Sequence, residues 1–284
     1  MLIPVRPLRS RWPAMLEFRL SRFFWSDPSD VLDDDVTDDE FRTAMSAFNV
    51  GGTIKITGTN RHPAADAPLL DHVDVTRATI VDIGASDGST SVDLVGKLPD
   101  FKAYVIADLY FYITMMRVGP KVLFFDPLGA CILVVGRRLV AWPSISRGVR
   151  LLYAPLIALA ARHPERRQEI LLLNPSARRL IAEDERVTFA VHDVFEAWGG
   201  VTPDVIKVAN LLRRLYFSDA DIMRALQAVL KSLPEGGHLL IVDNARARVA
   251  PRAGLYRRLG GRFTCVAETE TSIEIADLVP QAAL

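Results

Sequence analysis

From Thr79 onward the sequence alternates short apolar runs with helical stretches, and that alternation constrains the fold more than any other feature. The runs are ATIVDIG (78–84), AYVIAD (103–108), VTFAVHD (187–193), DVIKVANLL (204–212) and HLLIVDN (238–244). Helical stretches run from Ser89 to Leu98 and from Asp219 to Leu233. Strands separated by helices must cross over and pair in parallel, with helices covering both faces of the sheet. RFTCVAE (262–268) and SIEIADLV (272–279) are joined only by Thr269 to Thr271, a link too short for a crossover. The expected fold is therefore α/β: a doubly wound, mostly parallel sheet ending in a C-terminal antiparallel hairpin.

Two regions stand outside that rhythm. Between about 119 and 169, KVLFFD, ACILVVG and RRLVAWP precede an apolar stretch near Ser146 to Ala161, which predicts an inserted β-meander and helix. The first seventy residues open with Arg6, Arg9, Arg11, Arg19 and Arg22 and continue into an acidic run from Asp27 to Glu40. A basic amphipathic helix is expected from about Pro13 to Trp25, and the acidic run reads as a solvated helix start. The domain expectation is a helical extension over 1–70 and a main domain over 71–284, interrupted at about 119–169.

Composition excludes several classes. With 284 residues, 34 Lys plus Arg balance 34 Asp plus Glu, so the chain as a whole has no charge for a polyanion. Two cysteines, Cys131 and Cys265, make neither a disulfide framework nor a zinc site, and both are expected as buried thiols in a reducing cytosol. No secretory signal and no membrane-length apolar run is visible, so the expected setting is cytoplasmic.

The chemistry concentrates in VDIGASDGST, Val81 to Thr90: a strand, a loop of small residues, then a helix start. Glycines let a backbone approach a ligand closely, and a helix start offers unpaired N–H groups. A dinucleotide fingerprint needs glycine at positions 86 and 89, and both hold serine. The segment instead resembles motif I of the class I S-adenosylmethionine-dependent methyltransferases, an acidic residue followed by G-x-G-x-G. Asp82, Gly84 and Gly88 match, with Ser86 in place of the middle glycine. The resemblance implies that the backbone of Gly84, Ala85, Ser86 and Gly88 cradles the methionine end of S-adenosylmethionine while Asp82 orients it.

Three further segments follow in the family's order. Asp108 ends the second strand twenty residues after Gly88, where a carboxylate can accept from both ribose hydroxyls, with Leu109 beside it. Asp193 and Val194, in VHDVFE, match the adenine-binding positions, although an Asp there also caps a turn. Ala209 and Asn210 would lie near the reacting methyl group, and the PEGG turn (234–237) resembles the link before the family's fifth strand. The family's sheet has seven strands, the last of them antiparallel.

The resemblance implies methyl transfer to a small-molecule acceptor. The activated methyl group removes the need for a metal or a covalent nucleophile, and positioning does most of the work. His72, His192 and Tyr216 are the candidate bases, with no catalytic residue singled out. Arg213, Arg214, Arg246, Arg248, Arg252, Arg257 and Arg258 form either a receptor for an anionic acceptor or a solvated rim. Other readings are a non-catalytic cofactor-binding or interaction protein and a peripheral lipid methyltransferase. Among partners, nucleic acid is disfavoured, membrane contact is not favoured, and the apolar insertion suggests a homodimer.

Overall fold

The computed structural model describes residues 3–33, 35–50, 53–54, 63–243 and 252–284. The N-terminal part holds β1 (Val5–Pro7), α1 (Ala14–Arg19), α2 (Asp38–Met45), β2 (Asn49–Val50) and β3 (Thr53–Ile54). Next come α3 (Pro63–His72), β4 (Thr79–Ile83), α4 (Ser89–Val95) and β5 (Ala103–Asp108). The middle supplies β6 (Tyr112–Val118), β7 (Lys121–Phe125), β8 (Cys131–Val135), β9 (Leu139–Ala141), α5 (Arg147–Arg162) and β10 (Gln168–Leu171). The C-terminal part contains α6 (Pro175–Glu183), β11 (Val187–Val191), β12 (Val205–Ala209), α7 (Asp219–Ser232), β13 (His238–Asp243), β14 (Arg252–Leu259) and β15 (Arg262–Glu268).

The chain forms two compact units, and both are discontinuous in sequence. One comprises 1–56 and 110–175, the other 57–109 and 176–284. This division differs from the expected extension over 1–70 and insertion at 119–169. The N-terminus and the middle segment build one unit together, because β1 pairs antiparallel with β9.

In the first unit six strands run in the order β1-β9-β8-β7-β6-β10. Strand β6, YITMMRV, lay ahead of the expected meander, and β10 closes its far edge. One face packs Phe41, Met45 and Phe48 of the N-terminal segment on Ile113, Phe124, Leu133 and Trp142. Trp142 donates its indole N–H to the Ala47 carbonyl at 2.8 Å. The acidic run does start a helix: Thr37 and Glu40 form a reciprocal capping box at the start of α2. The basic helix is much shorter than expected, six residues with none buried.

The second unit holds a seven-stranded sheet in the order β11-β5-β4-β12-β13-β14-β15. The first five strands are parallel. Alternation sends Val81, Ile83, Ile206 and Val208 to one face, where Ile222, Leu226 and Val229 of α7 cover them. Asp82 and Lys207, neighbours in register, share the other face.

The C-terminal hairpin lies one element earlier than expected. It joins β14 to β15 through Gly260 and Gly261, both with positive φ as a two-residue hairpin turn requires. Strand β14 reads poorly as a strand because Gly254 interrupts it, yet the Tyr256 ring lies where a Gly254 Cβ would be, filling the gap. The antiparallel strand of the sheet is therefore the penultimate β14, and the last strand runs antiparallel to it. SIEIADLV forms turns instead: Ile273, Ile275, Leu278 and Val279 enter the core. Arg214 holds this segment through the Glu274 carbonyl and the Asp277 carboxylate.

Candidate functional site

The order of strands fixes where a ligand can approach. From β4 the chain moves to β5 on one side, whereas β12 adds on the other, so their loops part at the carboxyl ends of β4 and β12. Such a switch point leaves a crevice in an open α/β sheet. The backbone there is unusual. Gly84, Ser86 and Gly88 after β4 and Asn210 after β12 all have positive φ, between 57° and 79°. Ser86 (φ 59°) thus takes a left-handed conformation that glycine adopts freely and other residues adopt rarely.

Neighbouring strands hold the loop. The Gly84 and Ala85 N–H groups donate to the Ala107 carbonyl at 2.8 and 3.0 Å, and Ser86 N–H donates to Asp108 Oδ2 at 2.8 Å. Asp108 is mostly buried and braces the loop from the tip of β5, with Leu109 exposed beside it. The Ser86 hydroxyl is shielded and has no hydrogen-bond partner among the described residues. A polar atom left this way at a close-approach loop suits a ligand's polar end.

Asp82 lies behind the loop and is fully buried. Its Oδ2 accepts from the Ser91 hydroxyl at 2.8 Å and the Tyr104 hydroxyl at 2.9 Å, and Lys207 Nζ stands 4.0 Å away. Burial raises the Asp82 carboxyl above its ordinary value, against the lowering pull of Lys207 and the two hydroxyls. Burial also drives the Tyr104 phenol well above its usual range. Lys207, itself fully buried, reaches Asp66 of α3 at 3.1 Å, and Asp66 also takes Lys97 at 2.7 Å. Asp82 thereby fixes the start of α4 through Ser91, acting on the loop indirectly. Sequence reasoning missed this network, and the signal was a lysine in the middle of the apolar run VIKVA.

Gly84 also serves a packing purpose beyond the expected one. A Cβ there would meet Leu211 Cδ2 at 2.8 Å, so a side chain would strike this chain's own β12 loop.

Asp193 takes the capping geometry: its Oδ1 accepts from Phe195 N–H at 3.0 Å, and Val194 sends its side chain into the core. His192 N–H donates to the Asp108 carbonyl, which ties this loop to β5. The His192 ring meets Trp198 edge-on, and burial lowers its pKa. Ala209 ends β12, and Asn210 N–H donates to Val242 O at 2.7 Å.

Of the candidate bases, Tyr216 is half exposed in the loop that follows β12. His72 lies at the opposite end of the sheet, in a separate cleft of about 580 Å³ at the amino ends of β4, β12 and β13. Arg257 lines that cleft as well, and Arg258 precedes the same β14–β15 turn, so neither faces the crevice. Arg213 and Arg214 are engaged with Glu274, Asp219 and Asp277. Arg252 pairs in register with Asp243 at the carboxyl end of β13, and Arg246 and Arg248 lie outside the described residues. Cys131 is buried, whereas Cys265, expected buried, is exposed on the edge strand β15. No set of three or more His, Cys, Asp or Glu among the described residues is placed to hold a metal ion. No helix among them is long and apolar enough to cross a membrane.

No protein-family model and no curated protein sequence matches the chain. Solved structures do match. N-methyltransferase NodS from Bradyrhizobium japonicum WM9, in complex with S-adenosyl-L-homocysteine, is 15% identical over 59% of this chain and 53% of its own, with a TM-score of 0.31. N,N-8-amino-8-demethyl-D-riboflavin dimethyltransferase from Streptomyces davawensis is 16% identical over 65% and 37%, with a TM-score of 0.31. Human N-acetylserotonin methyltransferase, in complex with SAM, is 12% identical over 72% and 38%, with a TM-score of 0.35. The chain thus spans about half or less of the length of these proteins, and likenesses this distant carry no argument about activity. The resemblance to class I S-adenosylmethionine-dependent methyltransferases rests on this chain's own residues: the left-handed loop Gly84–Gly88, braced by Asp108 at the switch point of the sheet.

Proposed function

We propose that this protein binds S-adenosylmethionine and transfers its methyl group to a small-molecule acceptor in the cytoplasm. The observation that carries the reading is the Gly84–Gly88 loop, in which Ser86 adopts the glycine conformation and donates its N–H to Asp108. The cofactor's sulfonium supplies an already activated methyl group. The chain's own residues have the tasks of binding, orienting and excluding water.

In this reading the backbone of Gly84, Ala85, Ser86 and Gly88 and the Ser86 hydroxyl hold the methionine end. Asp108 serves the ribose hydroxyls, since a carboxylate oxygen that already accepts one N–H retains capacity for more. Asp193, the Val194 N–H and Leu109 border the adenine, and Ala209 and Asn210 border the methyl group. Asp82 is a positioning residue that sets α4 through Ser91. Tyr216 and His192 are the candidate bases at the carboxyl end of the sheet, His192 with its ring against Trp198.

Calorimetric titration with S-adenosylmethionine and S-adenosylhomocysteine, with NAD as control, tests the reading. Micromolar binding of the first two without NAD is the expected result. Binding of NAD alone, or of none of the three, would refute it.

A further inference from the structure

Helix α5 is apolar on the wrong side. Its inward residues, Tyr153, Leu156, Ile157 and Ala160, pack on Met116, Leu123, Phe125 and Val134 of the first unit's sheet. An amphipathic surface helix then turns a polar face outward. Here the outward face carries Leu151, Ala154, Pro155 and Ala158, flanked by Leu152 and Leu159. Leu151 is 76% exposed and Leu152 72%.

The β7–β8 turn adds to this surface. Its Leu128 is 93% exposed. Arg167 places the turn at the helix's end, stacking its guanidinium 3.9 Å from the Phe125 ring centre and donating to the Ala160 carbonyl.

The charges on the helix select the occupant. Its charged residues are Arg147, Arg150 and Arg162, with no acid among its sixteen residues. A second copy docking symmetrically would set Arg147 against Arg162 if the helices ran antiparallel, and each arginine against itself if they ran parallel. Both arrangements oppose like charges. An anionic lipid surface satisfies both features at once: leucines enter the acyl boundary while arginines at the ends reach lipid phosphates.

We infer that α5, with Leu128 beside it, is a docking face for an anionic bilayer surface, which goes beyond the proposed methyl transfer. The test is flotation of the full chain with phosphatidylcholine vesicles, with and without phosphatidylglycerol. The wild type is expected to float only with the anionic vesicles and to be released by salt. Arg147→Gln and Arg162→Gln should each weaken binding about fivefold. Leu151→Glu with Leu152→Glu should abolish flotation while leaving the melting temperature and circular dichroism unchanged, because both side chains point into solvent. Absence of wild-type flotation, or equal flotation of the double variant, would overturn the inference. So would sedimentation of the wild type as a dimer that the double variant renders monomeric.

Discussion

At the scale of single residues, the candidate site turns on Asp108, which braces the glycine loop and, in the proposed reading, serves the cofactor's ribose. Asp108→Ala should weaken S-adenosylmethionine binding by about 1–3 kcal/mol, the worth of charge-assisted hydrogen bonds. An unchanged dissociation constant in calorimetry would remove Asp108 from the site. A second carboxyl group, Asp30 in the first unit, gives a pH signature. Burial, then the charges of Asp27 and Glu40, push it up to about 6. The folded chain therefore holds this proton more tightly than the unfolded chain does. The resulting stability is fully present below the ordinary carboxyl value of 3.8 and is lost as pH rises through about 6. Asp30→Asn does not titrate, so it should melt with the wild type near pH 4 and progressively above it toward pH 7, about the limits of that window. Parallel melting curves across the range would contradict the assignment.

Among the elements, β12 carries the largest electrostatic stake. Lys207 sits in its middle, fully buried between the carboxyl groups of Asp66 and Asp82. Lys207→Met should cost about 3–5 kcal/mol in denaturant unfolding, because it strands charge in the core. Adding Asp66→Asn should restore part of the loss, and strict additivity of the two changes would show that the groups are not coupled. The same strand shows what sequence pattern can and cannot reveal. Apolar runs gave β4, β5, β12 and β13 nearly to the residue, since burial on both faces favours Val, Ile, Leu and Ala. The edge strand β11, with Thr188 and Val191 exposed, was legible from its β-branched and aromatic residues. Neither signal gave the partner of Lys207, because Asp66 is brought to it by the docking of α3. Strand β14 was hidden for a different reason: a glycine whose missing side chain Tyr256 replaces looks like a break until the fold is known. SIEIADLV alternates as a strand would, and its turns are set by Arg214 and Asp243 from elsewhere in the chain.

On the scale of the whole molecule, the loops of the crevice were legible because close backbone approach leaves a mark in glycine and small residues. The two-unit organisation was not, because the pairing of β1 with β9 joins segments more than a hundred residues apart. If the crevice binds S-adenosylhomocysteine, hydrogen exchange should slow at 84–88, 108–109, 192–196 and 209–211, and remain unchanged over 112–171. Protection confined to 112–171 would place the ligand in the wrong unit. The pairing of Asp66 with Lys207 spans 141 residues of chain. Lys97, the other partner of Asp66, follows after 31 residues, but at about 5–20 residues per second of synthesis Lys207 leaves the ribosome on the order of ten seconds after the acid. Until then Lys97 alone can pair with Asp66, and the strands that α3 packs on, β14 and β15, are still unmade. The core beneath the candidate site therefore closes only once the chain beyond residue 207 has been made, and a nascent chain halted before that point should be cut by added protease between α3 and β4.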